Sequence, residues 1–352
     1  MTSETPRATA PSSEDAVVVG AADADVVREV ARLAREAIAD DDRIAGALRV
    51  AARAADALPH PGTGSTATLW SGLATIAAID LGVARTLEPH LDALAILDAA
   101  GMDAPDDGRW GVYAAEGAGH RLEASSSGAA WSLSGSKPWC SLAGRLDRAL
   151  VTALVGEDRG LFSIALDHDG VTVDPADAWA SRGLVDVPSV PIRLEGVPAV
   201  AVGAPGWYLD RAGFAWGGIG VAAVWLGGAT GIARTMLAAS RRRAPDQLAL
   251  SLLGRVDRGL AAGRAMLAEA AAIVDAADSA VDPATLALRV RGTIAAVVDD
   301  VVRCADHAMG PAPLALDAEH ARRVDDLRVY VRQHHAERDD AALGRAVVEE
   351  RA

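Results

Sequence analysis

The sequence predicts an α+β protein in which helices come first, strands second and helices again last. Long Ala-rich stretches with apolar residues at near-helical spacing occupy both ends. Between them the pattern switches to short β-rich runs broken by Gly, Ser and Pro. The 352 residues suffice for a sizeable core and two or three domains. Apolar residues make up 51% of the chain but aromatic ones only 4%, so alanine does much of the filling, which favours closely packed helices.

Residues 1–15 are rich in Ser, Thr, Pro and Ala and lack an apolar centre, so they read as a disordered tail rather than a signal peptide. A helical region, 16–108, follows. Asp23 to Ala39 carries Val26, Val27, Val30, Leu33 and Ile38 on one helical face. A second helix, Asp42 to Leu58, stops at Pro59-His60-Pro61-Gly62, and apolar helices run from Leu69 to Ala100. Gly101 to Gly108 reads as a linker into a strand region, 109–206. There Gly111 to Ala115 and Ala130 to Leu133 read as two strands joined by the Gly- and Ser-rich segment Gly117 to Gly128. Further strands are expected at Ala149 to Val155, Gly160 to Leu166 and Val190 to Leu194. Pro205-Gly206 closes the region, and helices fill 207–352.

Composition narrows the function. A net charge of -14 argues against a nucleic-acid partner, because phosphate binding needs a basic surface. The run Arg241-Arg242-Arg243 reads equally well as a solvated helix end or a phosphate contact. Two cysteines far apart, Cys140 and Cys304, give neither a disulfide framework nor a zinc site, and a reducing cytoplasm is the expected compartment. No apolar run reads as long and clean enough to span a membrane. His90 and Asp92, in Glu88-Pro-His-Leu-Asp92, read as a packing residue and a helix cap, and Trp216 and Trp225 as core.

The stretch from Trp110 to Thr152 is the most informative for chemistry. It contains Gly135-Ser136-Lys137-Pro138-Trp139-Cys140-Ser141, where an indole and a hydroxyl two residues apart in an extended segment project to one face. That pair suits a flat ring with polar edge atoms, although a core Trp beside a solvated Ser is the commoner arrangement. Leu133 to Ser141, followed by Asp147-Arg-Ala-Leu-Val-Thr-Ala, resembles the flavin-contact segment of the acyl-CoA dehydrogenase family. The upstream Tyr113-Ala-Ala-Glu-Gly-Ala-Gly119 is similar to that family's other flavin-contacting turn. Leu69 to Leu97 is similar to the paired helices closing its N-terminal domain, and Gly217 to Ser240 to its long C-terminal helix.

The resemblance implies two helical domains around a small β-barrel, with FAD between the barrel and the C-terminal helices. Trp139 would stack on the flavin and Ser141 bond its edge, with contacts from Ala115, Glu116, Gly117 and Gly119. It implies α,β-dehydrogenation of an acyl thioester, with CoA as carrier, a homo- or hetero-oligomer, and an electron-transfer flavoprotein as redox partner. Departures accompany it. The Glu expected as base near the C-terminus falls on His334, leaving His334 or Glu337, three residues on, to serve. Arg243 stands for the segment that serves a neighbouring subunit's FAD pyrophosphate, and His307-Ala-Met-Gly310-Pro311 for the Gln-x-x-Gly-Gly motif. Loss of the Glu with retention of flavin contacts fits two alternatives. One is a flavin monooxygenase of the same fold fed by a flavin reductase, and the other is an inactive subunit of a mixed oligomer.

Overall fold

The computed structural model describes residues 15–105, 108–128, 130–277 and 280–349. The expected tail, 1–15, lies outside them except for Asp15, whose carboxylate accepts from Arg35 at 2.6 Å. Residues 106 and 107 of the expected linker also lie outside them.

The first four helices are α1 (Ala24–Ile38), α2 (Arg43–Ala57), α3 (Thr66–Ile79) and α4 (Leu81–Ala99). Aspartates start three of them by accepting from otherwise orphaned N–H groups: Asp23 for α1, Asp42 for α2 and Asp80 for α4. Asp80 is 4% exposed, and its second oxygen receives Arg322 at 2.9 Å from far along the chain.

Among the described residues seven strands follow: β1 (Trp110–Tyr113), β2 (Leu122–Ser127), β3 (Ala130–Ser141), β4 (Arg148–Val155), β5 (Asp158–Ala165), β6 (Val171–Val173) and β7 (Ser189–Val202). Pairing runs β4 to β2, β3, β7 and β5, and β5 returns to β4, which closes a small barrel. Leu133, Val151, Phe162, Ile192, Leu194 and Val197 fill its interior. One expectation is corrected here. The Ser-rich segment is not a linker between two paired strands, because Leu122–Ser127 is itself a strand, in an antiparallel hairpin with β3. Its residues after Leu122 are largely exposed, so no apolar alternation marked it. β1 pairs in parallel with β4 instead.

The C-terminal part holds α5 (Trp207–Asp210), α6 (Ala212–Arg242), α7 (Gln247–Asp275), α8 (Pro283–Met309), α9 (Pro311–Leu316), α10 (Ala318–Tyr330) and α11 (Glu337–Glu349). Contrary to the sequence expectation, α6 is long and apolar enough to cross a membrane by length and composition. Here it is the central helix of a packed core, with Ile219, Trp225, Leu226 and Ile232 fully buried. It approaches α3 so closely that a methyl on Gly227 would overlap the Ala74 carbonyl.

Two seams join the barrel to the helices. The Trp110 N–H donates to His90 Nδ1 at 3.3 Å, and Trp110, Leu150 and Leu161 pack on Ala93, Ile96 and Leu97 of α4. On the other side, Gly183 lies against the Asp325 carbonyl of α10, and the Leu184 N–H donates to Asp326 Oδ1 at 2.6 Å. Replacing Gly227 by Ala is expected to lower stability by about 2 kcal/mol, the usual cost of overpacking, read as a lower urea midpoint with unchanged slope. An unaltered midpoint would show that α3 and α6 can separate freely.

Candidate functional site

β3 is not a regular strand where the chemistry was expected. Its register with β7 slips between Lys137 and Cys140, and Trp139 takes a left-handed backbone, φ 62°. The bulge leaves the indole 54% exposed and edge-on to Trp179, with ring centres 6.5 Å apart. Beneath it the Lys137 ammonium is buried, donating to Glu116 at 2.8 Å and to Thr152 Oγ1 at 2.7 Å. Burial pulls the Lys137 pKa down, and the Glu116 carboxylate opposes that shift.

This ion pair fastens the Ala115 to Gly119 turn against β3. A Cβ on Gly117 would stand 3.0 Å from the Pro138 ring and 3.6 Å from Trp139 Nε1. Gly119 has φ 83° and open space beside it. The structure thus brings Gly117 and Trp139 together, but it turns the Glu116 carboxylate toward Lys137. The bulge at Trp139 interrupts strand alternation, so a spacing of two does not by itself set Trp139 and Ser141 on one face. Ser141 is 6% exposed, receives a hydrogen bond from Arg85 at 2.9 Å and shares another with Ser189 Oγ at 2.6 Å.

From Ser141 a polar chain runs into the helical core. The Arg85 guanidinium lies over the Tyr330 ring, 5.3 Å from its centre, and 3.9 Å from the Glu88 carboxylate. The Tyr330 hydroxyl donates to Glu88 Oε2 at 3.4 Å. Burial raises the Glu88 pKa to about 7, with Arg85 opposing and Asp92 assisting. One turn along α4, Asp92 is raised to about 6 by burial, with Arg211 opposing. Asp92 is therefore no cap: it sits mid-helix, and both carboxylates line a small cavity with Trp70, Trp216, Leu91 and His60. The missed signal was two acids four residues apart in a helix whose other residues there are largely buried, which places them on one face. His90, by contrast, is a buried neutral acceptor, its pKa lowered to about 4 by desolvation.

The remaining sequence candidates do not gather here. His334 is extended, after a 3-10 turn at Val331–Gln333, and Ala336 at φ 50° separates it from α11. It therefore shares no helical face with Glu337, which is exposed at the start of α11. The residue facing His334 is Asp339, 3.7 Å from Nε2, and burial lowers the His334 pKa. Arg243 is exposed at the end of α6, and His307 is exposed near the end of α8. Gly310, at φ 68°, turns the chain from α8 into α9.

No family model matches the sequence, and no curated protein matches it. Solved structures match along nearly the whole chain. Glutaryl-CoA dehydrogenase from Mycobacterium smegmatis is similar with TM-score 0.79 at 18% identity, covering 96% of this chain and 95% of that one. TdsC from Paenibacillus sp. A11-2, a dibenzothiophene monooxygenase solved with FMN, gives 0.75 at 18%, covering 93% and 97%. KijD3, solved with FMN and a dTDP-linked amino keto sugar, gives 0.74 at 19%, covering 93% and 92%. At such identities the likeness establishes a shared fold.

Glu88 makes stability depend on pH in a definite sense. Its folded pKa, about 7, exceeds the ordinary 4.5, so its contribution is full below pH 4.5 and is lost as pH rises through about 7. The loss is on the order of 3 kcal/mol. Glu88→Gln is expected to match the wild type near pH 4.5 and to exceed it at pH 8, measured by urea unfolding. Parallel pH profiles for the two proteins would refute the burial of an ionisable Glu88.

Proposed function

We propose that this chain, which has the acyl-CoA dehydrogenase fold, is a flavin-dependent oxidoreductase that dehydrogenates an acyl thioester, with CoA as the carrier. The observation that carries the reading is Trp139: a large indole held exposed, in a left-handed conformation, beside a turn whose Gly117 packs within van der Waals reach. Such a residue is costly to expose and to strain unless it serves a flat ligand. Similar solved structures hold FMN in TdsC and KijD3 and FADH2 in the M. smegmatis dehydrogenase, so the reading is a flavin, with FAD the form the sequence resemblance implies.

When bound, the flavin supplies the acceptor for the hydride leaving the substrate's β carbon. This chain's residues handle the proton. Glu88 accepts it from the α carbon, a task suited to a carboxylate tuned near neutral pH. The Tyr330 hydroxyl steadies the Glu88 carboxylate, and Arg85 links it to Ser141 on the barrel. Tyr330 and Trp225, both buried, keep bulk water from this part of the core. Glu88 thus supplies a carboxylate whose absence from position 334 had left room for an oxygenase or an inactive subunit.

The visible spectrum of the purified protein, taken anaerobically before and after adding acyl-CoA thioesters, tests this. A flavin band that bleaches is expected; a band that no thioester bleaches would overturn the dehydrogenase reading. Trp139→Ala is expected to reduce retained flavin at least tenfold. Glu88→Gln should keep its flavin but reduce at least a hundredfold more slowly, and the wild-type rate should climb as pH rises through about 7. Undiminished reduction in Glu88→Gln would remove Glu88 as the base.

A further inference from the structure

Beyond Glu88, the cavity contains an acid that the proposed reaction does not use. Asp92 has no hydrogen bond and no ion pair within 4 Å among the described residues. The charged and titratable groups around it are Glu88, Arg211 and Tyr208, together with His60, which lines the same cavity and pairs with Asp98 at 3.1 Å. Arg211 does not close on it: its guanidinium stacks over Trp207 at 5.5 Å and Tyr208 at 5.3 Å, and its Nε is itself buried without a partner among the described residues. Gly217, by lacking a side chain, keeps the space beside Asp92 open, since a Cβ there would stand 3.0 Å from Oδ1.

A second observation points to a ligand independently of the acids. Trp70 is fully buried and lines the same cavity, yet its Nε1–H has no acceptor among the described residues; it lies 3.6 Å from where a Cβ of Gly220, another lining residue, would be. A buried donor without a partner costs about 1–3 kcal/mol. The other walls are the Trp216 indole, Leu58, Leu69, Leu73 and Leu91. The loop at Pro59 to Gly62 covers this side, with Gly62 against the Trp216 ring. The site therefore offers an unpaired anion, indole walls, the Trp70 N–H donor and the His60 imidazole in a space of about 40 Å³, room for only a few non-hydrogen atoms.

We propose that this cavity binds the far end of the substrate and that this end is a small aliphatic ammonium with a neighbouring oxygen, the ammonium meeting Asp92 and the oxygen meeting Trp70 Nε1. A cation gains from both the carboxylate and the indole face, whereas a carboxylate end would face two acids and an unbranched alkyl end would leave the donor unpaired. The proposal rests on the reading of Glu88 as part of the substrate site and goes beyond it by naming the substrate class.

Three probes on one frame test it: ethanolammonium, ethylene glycol and glycolate, titrated into the full-length protein at pH 7.5 by ligand-observed NMR. Ethanolammonium is expected to bind at least tenfold more tightly than ethylene glycol, with glycolate weakest. Asp92→Asn should erase the preference, and Trp70→Phe should weaken ethanolammonium several-fold while leaving ammonium over glycolate preferred. Equal binding of the three probes, or a tenfold preference that survives in Asp92→Asn, would overturn the proposal. The flavin spectrum of the same wild-type sample separates the two readings. Ammonium selectivity without a flavin band would sustain the cavity assignment and sink the oxidoreductase reading. Thioester bleaching without ammonium selectivity would do the reverse.

Discussion

The buried ammonium of Lys137 is the point on which the barrel side of the molecule turns. One side chain reaches from β3 to Glu116 on the preceding turn and to Thr152 on β4, so three separate stretches of chain are held by a single charge. Removing a cation from water costs several kcal/mol, and only close, well-directed partners offset it. Those partners must therefore stay in place, and with them the turn that meets Pro138 and Trp139. The strained backbone at Trp139 persists because it lies two residues after this fastened one, with Pro138 between them.

The helical side is organised around the opposite difficulty, too many buried acids. Glu88, Asp92 and Asp326 all have raised pKa values, and in each the leading cause is burial. Asp326 has a structural return, since it accepts the Leu184 N–H and holds the barrel's long loop to α10. Glu88 and Asp92 have none of comparable quality. Two such groups on one face of α4 lower stability, and the rest of the core must offset that loss.

The sequence made the architecture legible because helices and barrel strands each carry their own periodicity. The Asp caps of α1 and α2 and the breaks at Pro59 and Gly206 sit within a residue or two of the observed ends. β2 was lost because an exposed, Ser-rich strand has no buried face to betray it. Trp139 was singled out, but the bulge that carries it was not, since no local residue pattern encodes a register slip between β3 and β7. Of the acids of α4, Asp92 was read locally, as a cap, and Glu88 was not singled out. Only tertiary packing shows that α6 and Tyr330 close over them. The base was sought near the C-terminus, where the family resemblance placed it. The chain breaks at Ala336, so His334 and Glu337 never share a helix.

The central position of α6 also bears on how the chain is made. It is 31 residues long and by length and composition alone could pass for a membrane span, until it meets α3. Because α3 precedes it by more than a hundred residues, the surface that receives Gly227 against Ala74 is already synthesised when α6 leaves the ribosome. Chain order thus acts as protection for the segment at greatest risk of being taken for a membrane anchor. A circular permutation placing α6 ahead of α3 would keep every native contact and lose that shelter.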